Sequence, residues 1–320
     1  MRNGPNALLN GEMSLVSLFK GKGPSGFGYG STAEVVTQGV ALKGKNFLVT
    51  GSTSGIGLET VRVLAQRGAR VFATGRSKDK VASTLARMLG AVVPLECELS
   101  DPNSVRGCVS AIKSDGAKLH GIIANAGVMA LPKLELVHGY ERQFFTNHIG
   151  HFLLVTELLS ELAEKARVVI LSSGAHTMAP KAGIEFDNLA GQRSYKSWTA
   201  YGQSKLANLL FAKQLAKRLA TAGSTVTANS VHPGVIMSGL QRNMPAALRL
   251  SMAIAAPITM KSIPEGAATQ VYVATRPELD GVSGEYFADC NVAQPSAQGR
   301  DSALAERLWQ ESERIVLQLS

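Results

Sequence analysis

Apolar residues in this chain come in short continuous runs. Each run is closed by glycine or a polar pair and is followed by a stretch with helical apolar spacing. KNFLVT (45–50), RVFAT (70–74), AVVPLEC (91–97), GIIAN (121–125), RVVILSS (167–173), VTANSVHP (226–233) and GEYFA (284–288) read as strands. The runs do not alternate apolar with polar, so both faces of each strand are expected to be covered. Between them, Ile56, Val61, Val63 and Leu64 recur at helical spacing until Gly68 stops the pattern. Residues 78–89, a helix opened by Asp101 and Pro102, and the long segments 139–165 and 199–222 also read as helices.

Strands and helices alternate through the chain. That order predicts an α/β fold, a doubly wound parallel seven-stranded sheet with helices on both faces. No internal repeat or second core interrupts it, so residues 43–320 form one expected domain. Residues 1–42 precede it as an N-terminal extension containing GKGPSGFGYGST (21–32), whose composition fits a flexible or surface-wrapped arm.

The chain has 320 residues, 45% of them hydrophobic and 18% charged, which suits a globular domain with a large core. Its net charge of +9 comes without a block of Lys or Arg and without aromatic–basic interleaving, so no nucleic-acid footprint is expected. Cys97, Cys108 and Cys290 form no CxxC or CxH pattern; no metal site and no disulfide framework are expected, and a reducing, cytoplasmic setting follows. The N-terminus lacks a continuous apolar signal region. The most apolar stretch, 248–260, contains Arg249 and Pro257 and is too short to span a bilayer, so no integral membrane span is expected.

Candidate chemistry gathers where strands end. TGSTSGIG (50–57) lies between the first strand and the first helix. Gly51 permits the tight turn, Gly55 lets the backbone approach a pyrophosphate, and Gly57 allows close helix–strand packing. Free N–H groups at the helix start would bind phosphate, and Ser52, Ser54 and Ile56 belong to the same turn. The second strand ends in Thr74, Gly75 and Arg76 with no carboxylate there. An acidic residue would favour the ribose hydroxyl of NAD(H), whereas Arg76 favours the extra phosphate of NADP(H). Tyr201 and Lys205 lie four apart, on one face of a helix. A neighbouring ammonium lowers a phenol's pKa, which would equip Tyr201 to exchange a proton with a carbonyl or alcohol oxygen. Asn125, Ala126 and Gly127 end the fourth strand, Ser172 and Ser173 the fifth, and His232, Pro233 and Gly234 the sixth; Asn147 lies in the following long helix.

The ordered set TGSTSGIG, NAG, Asn147, Ser173, YGQSK and HPG resembles the short-chain dehydrogenase/reductase family over residues 43–292. The wording NHIGHFLL (147–154), AYGQSKLANLLF (200–211) and VHPG (231–234) is similar to the branch of retinol dehydrogenases and the WW-domain oxidoreductase. The resemblance implies a Rossmann-type fold and NADP(H)-dependent hydride transfer. It implies that Tyr201 is the general acid/base, and that Lys205 lowers its pKa and holds the nicotinamide ribose. Ser173, the second of its pair, would polarise the substrate oxygen, and Asn147 would hold a water linked to Lys205. Pro233, Gly234, Ile236 and Ser238 would place the nicotinamide. Glu98, with Leu99, stands where the family has an adenine-side Asp. Members often pair as homodimers through the helices carrying Asn147 and Tyr201, a contact that the long N-terminal segment could obstruct.

Tyr201 follows Ser173 by 28 positions, so the segment 175–198 is expected to loop out and could shape a substrate site. The Met-rich segment of about 238–262, with Met244, Met252 and Met260, suggests a lid over a hydrophobic carbonyl or alcohol substrate. His148, His151, His176 and His232 read as structural histidines. Two other readings compete: a cofactor-binding regulatory or scaffold protein without turnover, and a peripheral membrane-associated retinoid or lipid reductase.

Overall fold

The computed structural model describes residue 16, residues 20–236 and residues 260–319. Among the described residues ten strands form: β1 (Asn46–Val49), β2 (Arg70–Gly75), β3 (Ala91–Glu96), β4 (Leu119–Ala124), β5 (Leu136–Val137), β6 (Tyr140–Glu141), β7 (Leu162–Leu171), β8 (Thr227–His232), β9 (Tyr286–Ala288) and β10 (Asn291–Val292). The main sheet holds eight strands in the order β10-β9-β8-β7-β4-β1-β2-β3, and β5 pairs with β6 in a separate hairpin. All neighbours in the main sheet are parallel except β10, which returns antiparallel on β9. The expected seven parallel strands are thus present, and an eighth, two-residue strand follows a tight turn. Strand order reverses between β1 and β4, and there the carboxyl ends leave the crevice in which α/β sheets bind ligands.

The principal helices are α1 (Ala33–Val36), α2 (Gly55–Gln66), α3 (Lys78–Leu85), α4 (Pro102–Asp115), α5 (Gly150–Glu157), α6 (Ser197–Thr221), α7 (Ile263–Thr275) and α8 (Ser302–Gln318). One face of the sheet is covered by α2, α3 and α7, with Val61, Leu64, Val271 and Phe287 in a common core. The other face is covered by α4, α5 and α6, around Ile122, Val168, Phe152 and Phe211. Burying each such side chain contributes about 1.5–3 kcal/mol, which secures the central strands on both faces; the edge strand β3 departs from the expectation, with Ala91 and Glu96 exposed and the residues between them only half-buried.

The helix expected over 139–165 is shorter than its apolar pattern. His138 and Gly139 turn the β5–β6 hairpin with positive φ, and helix starts only at Arg142. It runs through a π-helical stretch, Phe145–Ile149, into α5 and ends before Leu158. β7 then begins at Leu162 rather than 167: Leu162 pairs with Leu119, and the register shifts before Arg167, where Lys165 has φ 56°. Continuous apolar residues suit either a buried helix or a buried strand, so periodicity alone misplaces this boundary.

The helices α7 and α8 are additions to the sequence reading. A capping box of Ser262 and Glu265 opens α7, and Asp301 caps α8 through the N–H groups of Ala303 and Leu304. In the N-terminal extension, residues 20–42 lie packed on the domain. Ala33 and Val36 are buried in the same core as α7, and Arg67 donates to the Glu34 carbonyl at 2.8 Å.

Candidate active site

A cleft of about 530 Å³ opens over the carboxyl ends of β1, β4, β7 and β8. Its phosphate end is the turn between β1 and α2. Gly51 and Gly55 have φ of 72° and 57°, and Ser54 precedes the first helical residue in extended conformation. A Cβ on Gly57 would lie 2.2 Å from the Gly51 carbonyl oxygen, so only glycine lets the helix start this close to the turn. Thr53, Ser54, Gly55, Ile56 and Gly57 line the cleft. Ser52, expected among the contacts, does not: it is fully buried and its hydroxyl donates to the Val49 carbonyl at 2.8 Å. Its neighbour Thr53 takes the wall position.

At the end of β2, Arg76 lines the cleft and is exposed, and among the described residues it forms no ion pair. Glu98 and Leu99 line the same end. The Glu98 carboxylate accepts from the backbone N–H and hydroxyl of Ser100, at 3.1 and 2.7 Å. Asn125, Ala126 and Gly127 form the middle of the wall. Asn125 donates to the Thr50 carbonyl at 2.7 Å and so ties the end of β4 to the end of β1.

Tyr201 and Lys205 sit one helical turn apart on α6, and both face the cleft. The Lys205 Nζ donates to the Leu171 carbonyl at 3.1 Å and lies 5.8 Å from the centre of the Tyr201 ring. Burial pulls the Lys205 ammonium down to about 8. Burial likewise pushes the Tyr201 phenol up to about 12, and a hydrogen bond with Ser173 pulls it partly back. Ser173 and not Ser172 therefore meets the tyrosine. The Ser172 hydroxyl is turned away and donates to the Lys205 carbonyl at 2.8 Å.

Asn147 is fully buried behind the wall, in the π-helical stretch. Its Oδ1 accepts from Val128 N–H at 2.8 Å, while its amide donates to the Val128 carbonyl and to Ser204 Oγ, each at 2.9 Å. The side chain thus locks the loop after β4 onto α6. Its backbone carbonyl meets His151 Nδ1 at 2.8 Å, and His151 Nε2 meets Thr50 Oγ1 at 2.9 Å. Thr50 Oγ1 already accepts from the N–H groups of Asn125 and Ala126. Its own proton therefore goes to His151 Nε2, and Nδ1–H points at Asn147. Burial holds His151 down to about 4, so the ring is neutral and this direction is stable.

His176 and His232 hold the loop of Ser173 in the same manner: His176 Nδ1 meets the Ser173 carbonyl at 2.7 Å, and His232 Nδ1 accepts from Gly174 N–H at 3.0 Å. These histidines are structural, as their sequence contexts suggested. Pro233, Gly234 and Ile236 line the far end of the cleft. Ser238 and most of the anticipated lid, 238–262, lie outside the described residues. The segment 175–198 does shape the opening, since Ala175, Met178 and Trp198 stand on its rim. Met129, Arg142 and Thr146 complete that side and were missed; their signal was only their place within five residues of NAG or Asn147.

Among the described residues no cluster of metal ligands occurs, all three cysteines are free and buried, and no helix is long and apolar enough to cross a membrane. A family profile described as short chain dehydrogenase matches residues 45–249. Short-chain dehydrogenase TIC 32 B, chloroplastic, of Brassica napus is 42% identical over 318 residues, covering 95% of this chain and 99% of that protein. Retinol dehydrogenase 12 of Mus musculus is 43% identical over 282 residues, 86% of this chain and 87% of that one. Among solved structures, an uncharacterized protein from Mycobacterium paratuberculosis superposes with a TM-score of 0.72 at 30% identity, over 88% of this chain and 97% of that one.

Proposed function

The chain belongs to the short-chain dehydrogenase family, and from that membership we propose that it is an NADP(H)-dependent oxidoreductase acting on a hydrophobic carbonyl or alcohol. The observation that carries the reading is the meeting of Ser173, Tyr201 and Lys205 on one wall of a cleft whose other end is a glycine-rich helix start. The residues fit a dinucleotide. The turn offers positive-φ backbone and a helix N-terminus for the pyrophosphate, and Arg76 stands exposed at the ribose side with no carboxylate in its place. When bound, the nicotinamide supplies the hydride or accepts it.

This chain's residues manage the proton and the positioning. Tyr201, neutral at neutral pH, is in the donor form that carbonyl reduction needs. Oxidation of an alcohol needs the phenolate, which a nearby cation favours, and Lys205 is the charge in place. Ser173, hydrogen-bonded to Tyr201, marks where the substrate oxygen sits, and a hydroxyl there stabilises charge that develops on it. Asn147 keeps the loop after β4 and α6 in register and so keeps Lys205 beside the cleft. Met129, Met178 and Trp198 give the entrance an apolar rim, which supports a hydrophobic substrate.

Tyr201→Phe tests the reading. We expect carbonyl reduction with NADPH to fall at least 100-fold, in line with the usual scale of general acid catalysis, while calorimetry still finds NADPH bound. Retained turnover would overturn the assignment. A panel of lipophilic and polar carbonyls tests the substrate class, and turnover confined to small polar sugars would exclude the hydrophobic reading.

A further inference from the structure

Lys261 belongs to no nucleotide motif, yet it is as deeply buried as Lys205, at 3% against 5% exposure. A buried ammonium needs compensation. Asp289 supplies it, with Oδ1 2.6 Å from Nζ, and the Tyr29 ring covers the charge with its centre 4.7 Å away. Three distant parts of the chain therefore converge on one cation: the N-terminal extension, the segment leading into α7, and the turn between β9 and β10.

That turn is built at a cost. Asp289 and Cys290 follow each other with φ of 50° and 62°, in the left-handed region that a two-residue hairpin normally gives to Asn and Gly. Cys290 N–H is held by Thr269 Oγ1 at 3.2 Å, and Asp289 is held by Lys261. Backbone strain that the surroundings maintain in this way is a feature of functional sites. Next in the turn, Asn291 accepts from Ser25 N–H at 3.0 Å and donates to the Phe27 carbonyl at 3.1 Å. The stretch bearing Tyr29 is thereby stapled to the turn that bears Asp289.

Lys261 also grips the cleft. Its N–H donates to the Val235 carbonyl at 2.9 Å, and it forms a parallel bridge with Ile236. Its aliphatic stem lies flat on Gly234, where an added Cβ would come within 2.6 Å of Cδ. Gly234, Val235 and Ile236 are the wall at the nicotinamide end. We propose that Lys261 is a positioning residue for that end of the cleft, held in place by Asp289 and by Tyr29 of the N-terminal extension. The extension is then part of the active-site architecture. The inference rests on the nucleotide reading above.

The test uses the full chain with Lys261→Met, Asp289→Asn, Tyr29→Leu and the conservative Lys261→Arg. NADPH affinity is read by calorimetry, kcat and KM with the best aldehyde of the panel, and Tm by scanning calorimetry. Lys261→Met should weaken NADPH about 10-fold and lower kcat about 10-fold, with KM for the aldehyde within 3-fold. Tyr29→Leu should move the same two quantities about 3-fold, and Lys261→Arg should restore most of the loss. Variants that lose Tm but keep wild-type NADPH affinity and kcat overturn the proposal, because the clamp would then serve stability alone. If Lys261→Met does not fold, Tyr29→Leu and Asp289→Asn decide on the same criteria. Wild-type protein that binds no NADPH overturns the nucleotide reading and this inference with it; wild-type binding beside unaltered variants overturns the clamp alone.

Discussion

Two residues set the pH behaviour of the candidate site. Burial stabilises the neutral form of both Tyr201 and Lys205, moving the phenol up to about 12 and the ammonium down to about 8. In the free protein Lys205 is charged below about 8 and neutral above it, while Tyr201 stays neutral through both ranges. The charge that Lys205 would hold at the nicotinamide-ribose end of the cleft, beside Tyr201, is therefore lost as pH rises. We expect kcat/KM for NADPH to be flat at lower pH and to fall above about 8, since this quantity follows the free enzyme. The same profile in Lys205→Arg should lose that limb, because an arginine does not titrate there. Arg76 stands at the other end of the cleft. A hydrogen bond to a charged group contributes about 1.5–3 kcal/mol, so Arg76→Ala should weaken NADPH about 10- to 100-fold and leave NADH nearly unchanged. Equal losses for both nucleotides in a titration would remove Arg76 from its assigned role.

At the scale of elements, the cleft depends on how closely α2 approaches the end of β1. Gly57 sits against the Gly51 carbonyl and the Asn125 side chain, whose Nδ2 would be 2.5 Å from an added Cβ. Neither neighbour can yield freely, because Asn125 is bonded to Thr50 and Gly51 forms the turn itself. Gly57→Ala should push the helix start outward, destabilise the fold by about 1–3 kcal/mol and weaken NADPH at least 10-fold. Denaturant melts together with nucleotide titrations would check both. The π-helical stretch makes the same point from the other side. Phe145–Ile149 carries Asn147 inward, and His151 on the following turn connects it to Thr50. Three elements thus share one buried hydrogen-bonded chain, whose direction follows from a neutral histidine.

At the scale of the whole molecule, α8 changes the surface the chain presents. It lies over the outer sides of α6 and of the helix bearing Asn147. Ala305, Leu308 and Ile315 pack against Phe144, Leu206 and Leu210, and Trp309 stacks edge-on against Phe152 at 4.9 Å. His148 is docked to it through Ser312 at 2.8 Å. The resemblance implied a homodimer through these same two helices, and that face is occupied by the chain's own C-terminal helix. We expect a monomeric mass in sedimentation at micromolar concentration; a stable dimer there would have to use another surface.

Much of this molecule follows from local sequence. Seven apolar runs determine seven strands because a short apolar run closed by turn residues suits a strand, whether central and buried or, as β3, at the edge and half-buried. Tyr201 and Lys205 had to share a wall because four residues make about one helical turn. The glycine-rich turn is legible for the same local reason: its contacts lie within a few residues. The tertiary structure decided what local spacing leaves open. The resemblance named Ser173, and the turn that follows β7 shows how: the Ser172 hydroxyl donates to the Lys205 carbonyl, and Ser173 is left to meet Tyr201. The fold of the glycine-rich turn likewise placed Thr53 and not Ser52 on the wall. Lys261, Asp289 and Tyr29 stand more than 200 residues apart at the extremes. Their meeting depends on how the N-terminal extension, the segment leading into α7 and the last hairpin pack together, and no periodicity within any one of those segments encodes it.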